Sequence, residues 1–93
     1  MNQLPARRFD LTFRIVEDEV VILDRGTGNL HRLNATAGTI WQHCDGRSTL
    51  DEISARVAAE FDKDLTEVRE AVRATIEDFE QLGLLSSNLP PAV

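Results

Sequence analysis

Ninety-three residues with a formal net charge of −6 provide for one domain and one modest core. Nothing approaches the ~18 consecutive apolar residues of a membrane span. The opening MNQLPARRFD lacks the apolar run of a secretory signal, and a single cysteine, Cys44, excludes an internal disulfide. The expectation is a cytoplasmic protein. Charge is uneven: residues 1–48 carry six Arg against six acids, residues 49–63 are net −2 and residues 64–93 net −4. The acidic C-terminal half repels phosphate backbones.

Residues 1–10 have no periodicity, and Pro5 with Arg7-Arg8 suggests a flexible N-terminal arm. From Leu11 the pattern alternates, with Leu11, Phe13 and Ile15 on one face and Thr12 and Arg14 on the other. That predicts a half-buried strand ending in a polar turn at Glu17-Asp18. Glu19 to Asp24 holds four consecutive aliphatics, Val20 to Leu23, in which the β-branching of Val20, Val21 and Ile22 favours a strand, and apolar character on both faces suits a central one whose second face is partly covered. Arg25-Gly26-Thr27-Gly28-Asn29 reads as a hairpin loop. Its GTG is not a phosphate cradle, because a strand and not a helix follows it. Leu30 to Leu33 makes a short third strand, so the meander leaves the first and third strands as edges.

At Asn34 the period changes. Asn34 is a good N-cap for a helix over Ala35 to His43, with Ala37, Ile40, Trp41 and Cys44 on one side and Asp45-Gly46 as its stop. Thr49-Leu50-Asp51-Glu52 is a capping box, and Leu50, Ile53, Val57, Ala58 and Phe61 stripe a second helix. Asp64 caps a third, striped by Leu65, Val68, Val72, Ile76, Phe79 and Leu82, with Gly83 at its end and Leu84-Leu85 folding back. Residues 86–93, with Pro90-Pro91, read as a disordered tail. The fold class is α+β: a three-stranded antiparallel β-meander followed by three helices, one domain over residues 11–85.

Chemistry is scarce. Neighbouring His43 and Cys44 point about 100° apart on a helix and do not form a nucleophile–base pair. Two histidines and one cysteine without CxxC or HxxxH spacing make no metal site. The expectation is a protein without enzymatic activity, cofactor or metal. Residues 49–82 have the outline of a helix–turn–helix, yet the third helix and its cap carry six acids against Arg69 and Arg73, which argues against a nucleic-acid groove.

Through LNATAGTIWQHCDG, TLDEISARVAAEF and DFEQLGLL, residues 11–85 resemble the PqqD-like family. The strongest points are Leu33-Asn34, Ala37, Ile40-Trp41, Asp45-Gly46 and Leu82-Gly83-Leu84-Leu85. The resemblance implies a winged helix–turn–helix that binds peptide instead of DNA. Such a module recognises the leader segment of a ribosomally made precursor and presents it to a modifying enzyme, often a radical-SAM protein. It also implies the site: the edge Leu30, His31, Arg32 and Leu33, faced by Val68, Arg69, Val72, Arg73 and Ile76 of the third helix. An added strand would supply main-chain bonds for affinity and side-chain pockets for specificity. One departure is Leu30-His31, where family members often carry an aromatic. The same edge is open to a second copy, so a homodimer is a further expectation. The competing function is a winged-helix nucleic-acid binder.

Overall fold

The computed structural model describes residues 4–86. The sheet order is β1-β2-β3, from β1 (Thr12–Val16), β2 (Glu19–Asp24) and β3 (Asn29–Leu33), antiparallel throughout. Three helices follow: α1 (Ala35–Gln42), α2 (Leu50–Phe61) and α3 (Leu65–Leu82). The expected tail lies outside the described residues except for Ser86. No helix among the described residues is long and apolar enough to cross a membrane.

Local chemistry accounts for the helix starts. Asn34 accepts from the Ala37 amide at 2.8 Å, and Thr49 and Glu52 close a reciprocal capping box. Asp64 accepts from Glu67 N at 3.3 Å. α1 ends at His43 in a right-handed conformation, before the expected Asp45-Gly46 stop. Gly46 serves another purpose, donating its amide to the Pro5 carbonyl at 2.8 Å. Gly83 closes α3 at φ 75, a left-handed turn that suits glycine, and Leu84 folds back to full burial.

The core lies where β2 and β3 meet α1, and where α1 meets α2 and α3. Val20, Ile22 and Leu33 from the sheet join Ile40, Trp41, Ile53, Val57, Val72 and Phe79 from the helices. The single tryptophan donates its indole N–H to the Leu84 carbonyl at 3.1 Å, tying α1 to the chain after α3.

Two expectations are corrected. β1 is not half-buried: Leu11 is covered, but Phe13 and Ile15 are 41% and 56% exposed. The helices seat over β2 and β3, and β1 meets them through Phe13, whose ring packs edge-to-face on Trp41 of α1 with centroids 5.0 Å apart. Nor are the described residues of the N-terminal arm loose. Pro5 is buried, Arg7 N donates to the Cys44 carbonyl at 2.8 Å, and Ser86 N donates to the Ala6 carbonyl at 2.7 Å. Arg8 joins three parts of the chain, donating to Asp10, to Asp24 at 3.1 Å and to the Gly83 carbonyl at 2.9 Å.

Candidate functional site

The hairpin register determines which edge groups are open. Glu17-Asp18 is a two-residue turn closed by Val16↔Glu19, with Glu17 at φ 57. The pair flanking such a turn exchanges both main-chain bonds, and bonded pairs then alternate. Counting in twos, Val20, Ile22 and Asp24 bond to β3, through Leu33, His31 and Asn29. Leu30 and Arg32 therefore present their N–H and C=O groups outward. The side chain of Arg32 lies on the solvent face, where Nε donates to Glu19 Oε1 at 3.2 Å. His31 is half-buried on the helix-facing side, opposite Ile22, and Leu33 is buried in the core.

Between α1, the end of α2, the turn that joins α2 to α3 and the first half of α3 lies an open cleft of about 200 Å³. Ile40, Val57, Phe61, Val68 and Val72 give it apolar walls, and Ala71 contributes an exposed methyl. Thr36, Lys63 and Glu67, all exposed, form its polar rim. Lys63 is placed there by the left-handed Asp62, which lets its amide reach back to the Ala58 carbonyl at 3.0 Å.

Of the nine residues expected from the sequence, the structure keeps Leu30 to Leu33 together on one edge and brings Val68 and Val72 into the cleft. It separates the other three. Arg69 turns to Asp51 on α2 at 3.2 Å. Arg73 is held by Glu70 at 2.6 Å and Glu77 at 3.2 Å. With Ile76, it lines a different hollow of about 180 Å³ beside Pro5, Leu50 and Leu85. Sequence reasoning missed Thr36, Phe61, Lys63, Glu67 and Ala71. Phe61 ends an apolar stripe and was legible as apolar, but a stripe does not distinguish core from cleft wall.

The electrostatics disfavour a phosphate ligand. Both cations of α3 are engaged by carboxylates, and Glu67 stands at the cleft rim. Elsewhere, His43 Nε2 meets Glu60 Oε1 at 2.8 Å while Cys44 Sγ donates to the Ile40 carbonyl at 3.2 Å, so the two neighbours face different partners. Burial pushes the Cys44 thiol up to about 12, far from a reactive thiolate. Among the described residues, no group of three or more His, Cys, Asp or Glu is placed to hold a metal ion.

The model of the family described as Coenzyme PQQ synthesis protein D (PqqD) matches residues 19–85. Three solved structures share the fold. TbiB1, in complex with the TbiA(beta) leader peptide, is 24% identical with a TM-score of 0.78, covering 91% of this chain and 99% of that one. Lasso peptide synthetase B1, complexed with its leader peptide, is 18% identical at 0.77, covering 90% and 99%. The PqqD truncation of Methylobacterium extorquens PqqCD, described as a stand-alone recognition element for ribosomally synthesised and post-translationally modified peptides, is 19% identical at 0.72, covering 89% and 88%. Comparison with curated proteins finds no match.

Proposed function

This chain belongs to the PqqD family, and from that premise we propose that it is a non-catalytic module that binds the leader segment of a ribosomally made precursor peptide. The leader adds as a fourth strand along β3, bonding to the outward main-chain groups of Leu30 and Arg32. One of its apolar side chains enters the cleft walled by Val68, Val72 and Phe61. The module then delivers the precursor to a modifying enzyme, such as a radical-SAM maturase, in the cytoplasm. The observation that carries this reading is an unblocked edge strand, β3, in a fold that also opens an apolar cleft between its helices. The two features suit an extended chain with one anchoring side chain.

An amide-shift titration of labelled protein tests it, with a candidate leader peptide in one series and random duplex DNA in the other. The expected result is shifts at residues 30–33, at Thr36 and between residues 61 and 72 with peptide, and none with DNA. Shifts with DNA alone would replace this reading by the winged-helix nucleic-acid binder.

A further inference from the structure

Arg7 has aromatic neighbours and no acid. Its guanidinium lies 5.5 Å from the Trp41 ring centroid and 5.9 Å from that of Phe13. Ring faces attract the charge but offer no lone pair to its N–H donors. Among the described residues no carboxylate pairs with it, and the acids of this part of the chain, Asp10 and Asp24, are both bonded to Arg8. The other cations without an ion pair among the described residues, Arg14, Arg25, Arg47, Arg56 and Lys63, are exposed to water, whereas Arg7 is half-buried. Its main chain is fixed on both sides: the amide donates to the Cys44 carbonyl at 2.8 Å, and Ser86 Oγ donates to the Arg7 carbonyl at 3.2 Å. The guanidinium stands in a hollow of about 250 Å³ shared with Phe9, Leu11, Phe13 and Trp41. Phe9 is 97% exposed, on a turn held at one end by the bonds of Arg8 to Asp24 and Gly83 and at the other by buried Leu11. A phenyl ring held in water forgoes the stabilisation that burial gives. A rigidly presented aromatic beside a half-buried Arg has the composition of an interface anchor.

We propose that this hollow docks a protein partner through an Asp or Glu side chain with an apolar residue beside it. The carboxylate pairs with Arg7, and the apolar residue packs on Phe9 and the exposed side of Phe13. A carboxylate supplies the lone pairs that the guanidinium fork lacks here, and the two match in geometry. A phosphate suits the hollow less well, because it would shed water from two charges against aromatic walls with one cation to hold it. The Phe13 ring keeps its edge-to-face contact with Trp41 throughout, since the partner meets the side that Trp41 does not cover. The site lies where β1 meets α1 and shares no residue with the β3 edge or with the cleft beside α3. It therefore does not depend on leader binding, and a partner held there leaves β3 free.

A short peptide capped at both ends, acetyl-Phe-Glu-Leu-amide, is the probe, titrated to millimolar concentration into the labelled full chain. Shifts are expected at the amides of Arg7, Phe9 and Phe13 and at the Trp41 indole N–H, with residues 30–33 unmoved. Acetyl-Phe-Gln-Leu-amide, which lacks the carboxylate, should bind about tenfold more weakly, the worth of one hydrogen-bonded charge. Arg7→Gln should weaken the Glu peptide to a similar degree, and Arg7→Lys, which keeps the charge without the fork, should fall between. Phe9→Ala, at a fully exposed position, should leave circular dichroism and melting unchanged while weakening the peptide several-fold, so the test stands even where a change at Arg7 disturbs the fold. Silence with the Glu peptide, equal affinity for the Gln peptide, or a Phe9→Ala protein that binds like the parent overturns the proposal. Shifts confined to residues 30–33 overturn it as well, because the peptide is then on β3. Acetyl-Phe-Gln-Leu with a free C-terminus binding as tightly as the Glu peptide would make the ligand a chain end and overturn the side-chain assignment.

Discussion

Gly38 on α1 lies so close to Val20 on β2 that a Cβ at position 38 would stand 2.6 Å from Val20 Cγ2. The missing side chain is what lets α1 seat on the sheet. Alanine is the better helix former by about 1 kcal/mol, so an isolated helix would gain from Gly38→Ala. Overpacking a tight core costs about 1–3 kcal/mol, and here it wins. Gly38→Ala is expected to lower the melting temperature, by about 4–8 °C per kcal/mol lost at this size. Val20→Ala in the same background should restore part of the loss. A Gly38→Ala protein that melts higher than the parent would show that the sheet shifts to accept the methyl.

That contact shows where sequence reasoning stops. The caps at Asn34, Thr49 and Asp64 were legible because each rests on residues within three positions of one another. The aliphatic run of β2 announced a central strand. The exposure of β1 was not legible, because Phe13 and Ile15 alternate like any half-buried strand, and only the seating of the helices over β2 and β3 leaves Ile15 open and Phe13 covered on one side by Trp41. On α3 the period placed Val68, Val72 and Ile76 on one stripe. It does not reveal that the stripe turns from the cleft at Val68 and Val72 to a different hollow at Ile76. The Arg8–Asp24 contact joins residues sixteen positions apart and has no local signature.

That contact makes stability depend on acid. Burial alone would push the Asp24 carboxyl up, but the hydrogen bond and charge of Arg8 and the Gly26 and Thr27 amides together hold it below its ordinary 3.8. The Arg8 hydrogen bond lowers Asp10, and the Arg47 amide leads those that lower Asp45. A carboxyl depressed on folding contributes stability that is present above the unfolded value, near 3.8, and lost as pH falls through the folded one. Thermal midpoints should therefore be insensitive to these groups between neutrality and about pH 5, and fall below about pH 4. Asp24→Asn should start lower at neutral pH, having left Arg8 without its charge partner, and then fall less steeply in acid. Parallel acid limbs for parent and variant would remove Asp24 from the account.

Asp62 turns the chain from α2 to α3 at φ 52, ψ 54, a left-handed position that costs a residue with a Cβ about 1–2 kcal/mol. Glycine removes that cost at an entropic penalty of about 0.5–1 kcal/mol. Asp62→Gly should therefore raise stability by several tenths to about 1 kcal/mol. Asp62→Ala keeps the Cβ and should give no such gain, which separates backbone strain from loss of the charge. Urea midpoints followed by the fluorescence of Trp41 measure both. Equal gains in the two variants would assign the effect to charge.

The β3 edge is tested most sharply at Arg32, because its amide and its side chain have different duties. The amide points outward, while the guanidinium holds Glu19 in an exposed pair worth about 1 kcal/mol at most. Arg32→Pro removes the amide from an edge position, where proline is tolerated, and should leave the fold intact. Arg32→Ala removes the side chain and keeps the amide. If a leader extends the sheet along β3, Arg32→Pro should weaken it about tenfold or more, equivalent to about 1.4 kcal/mol. Arg32→Ala should change affinity little. Ala71→Glu, which places a charge in the cleft from an exposed position, should also weaken the leader about tenfold, because a desolvated carboxylate replaces an apolar contact. Arg69→Ala, whose side chain is turned to Asp51, should be near neutral. Calorimetric titration of the four variants with one leader peptide reads these differences. Loss in Ala71→Glu but not in Arg32→Pro would keep the cleft and take the peptide off the strand. The reverse would keep the strand and leave the cleft empty.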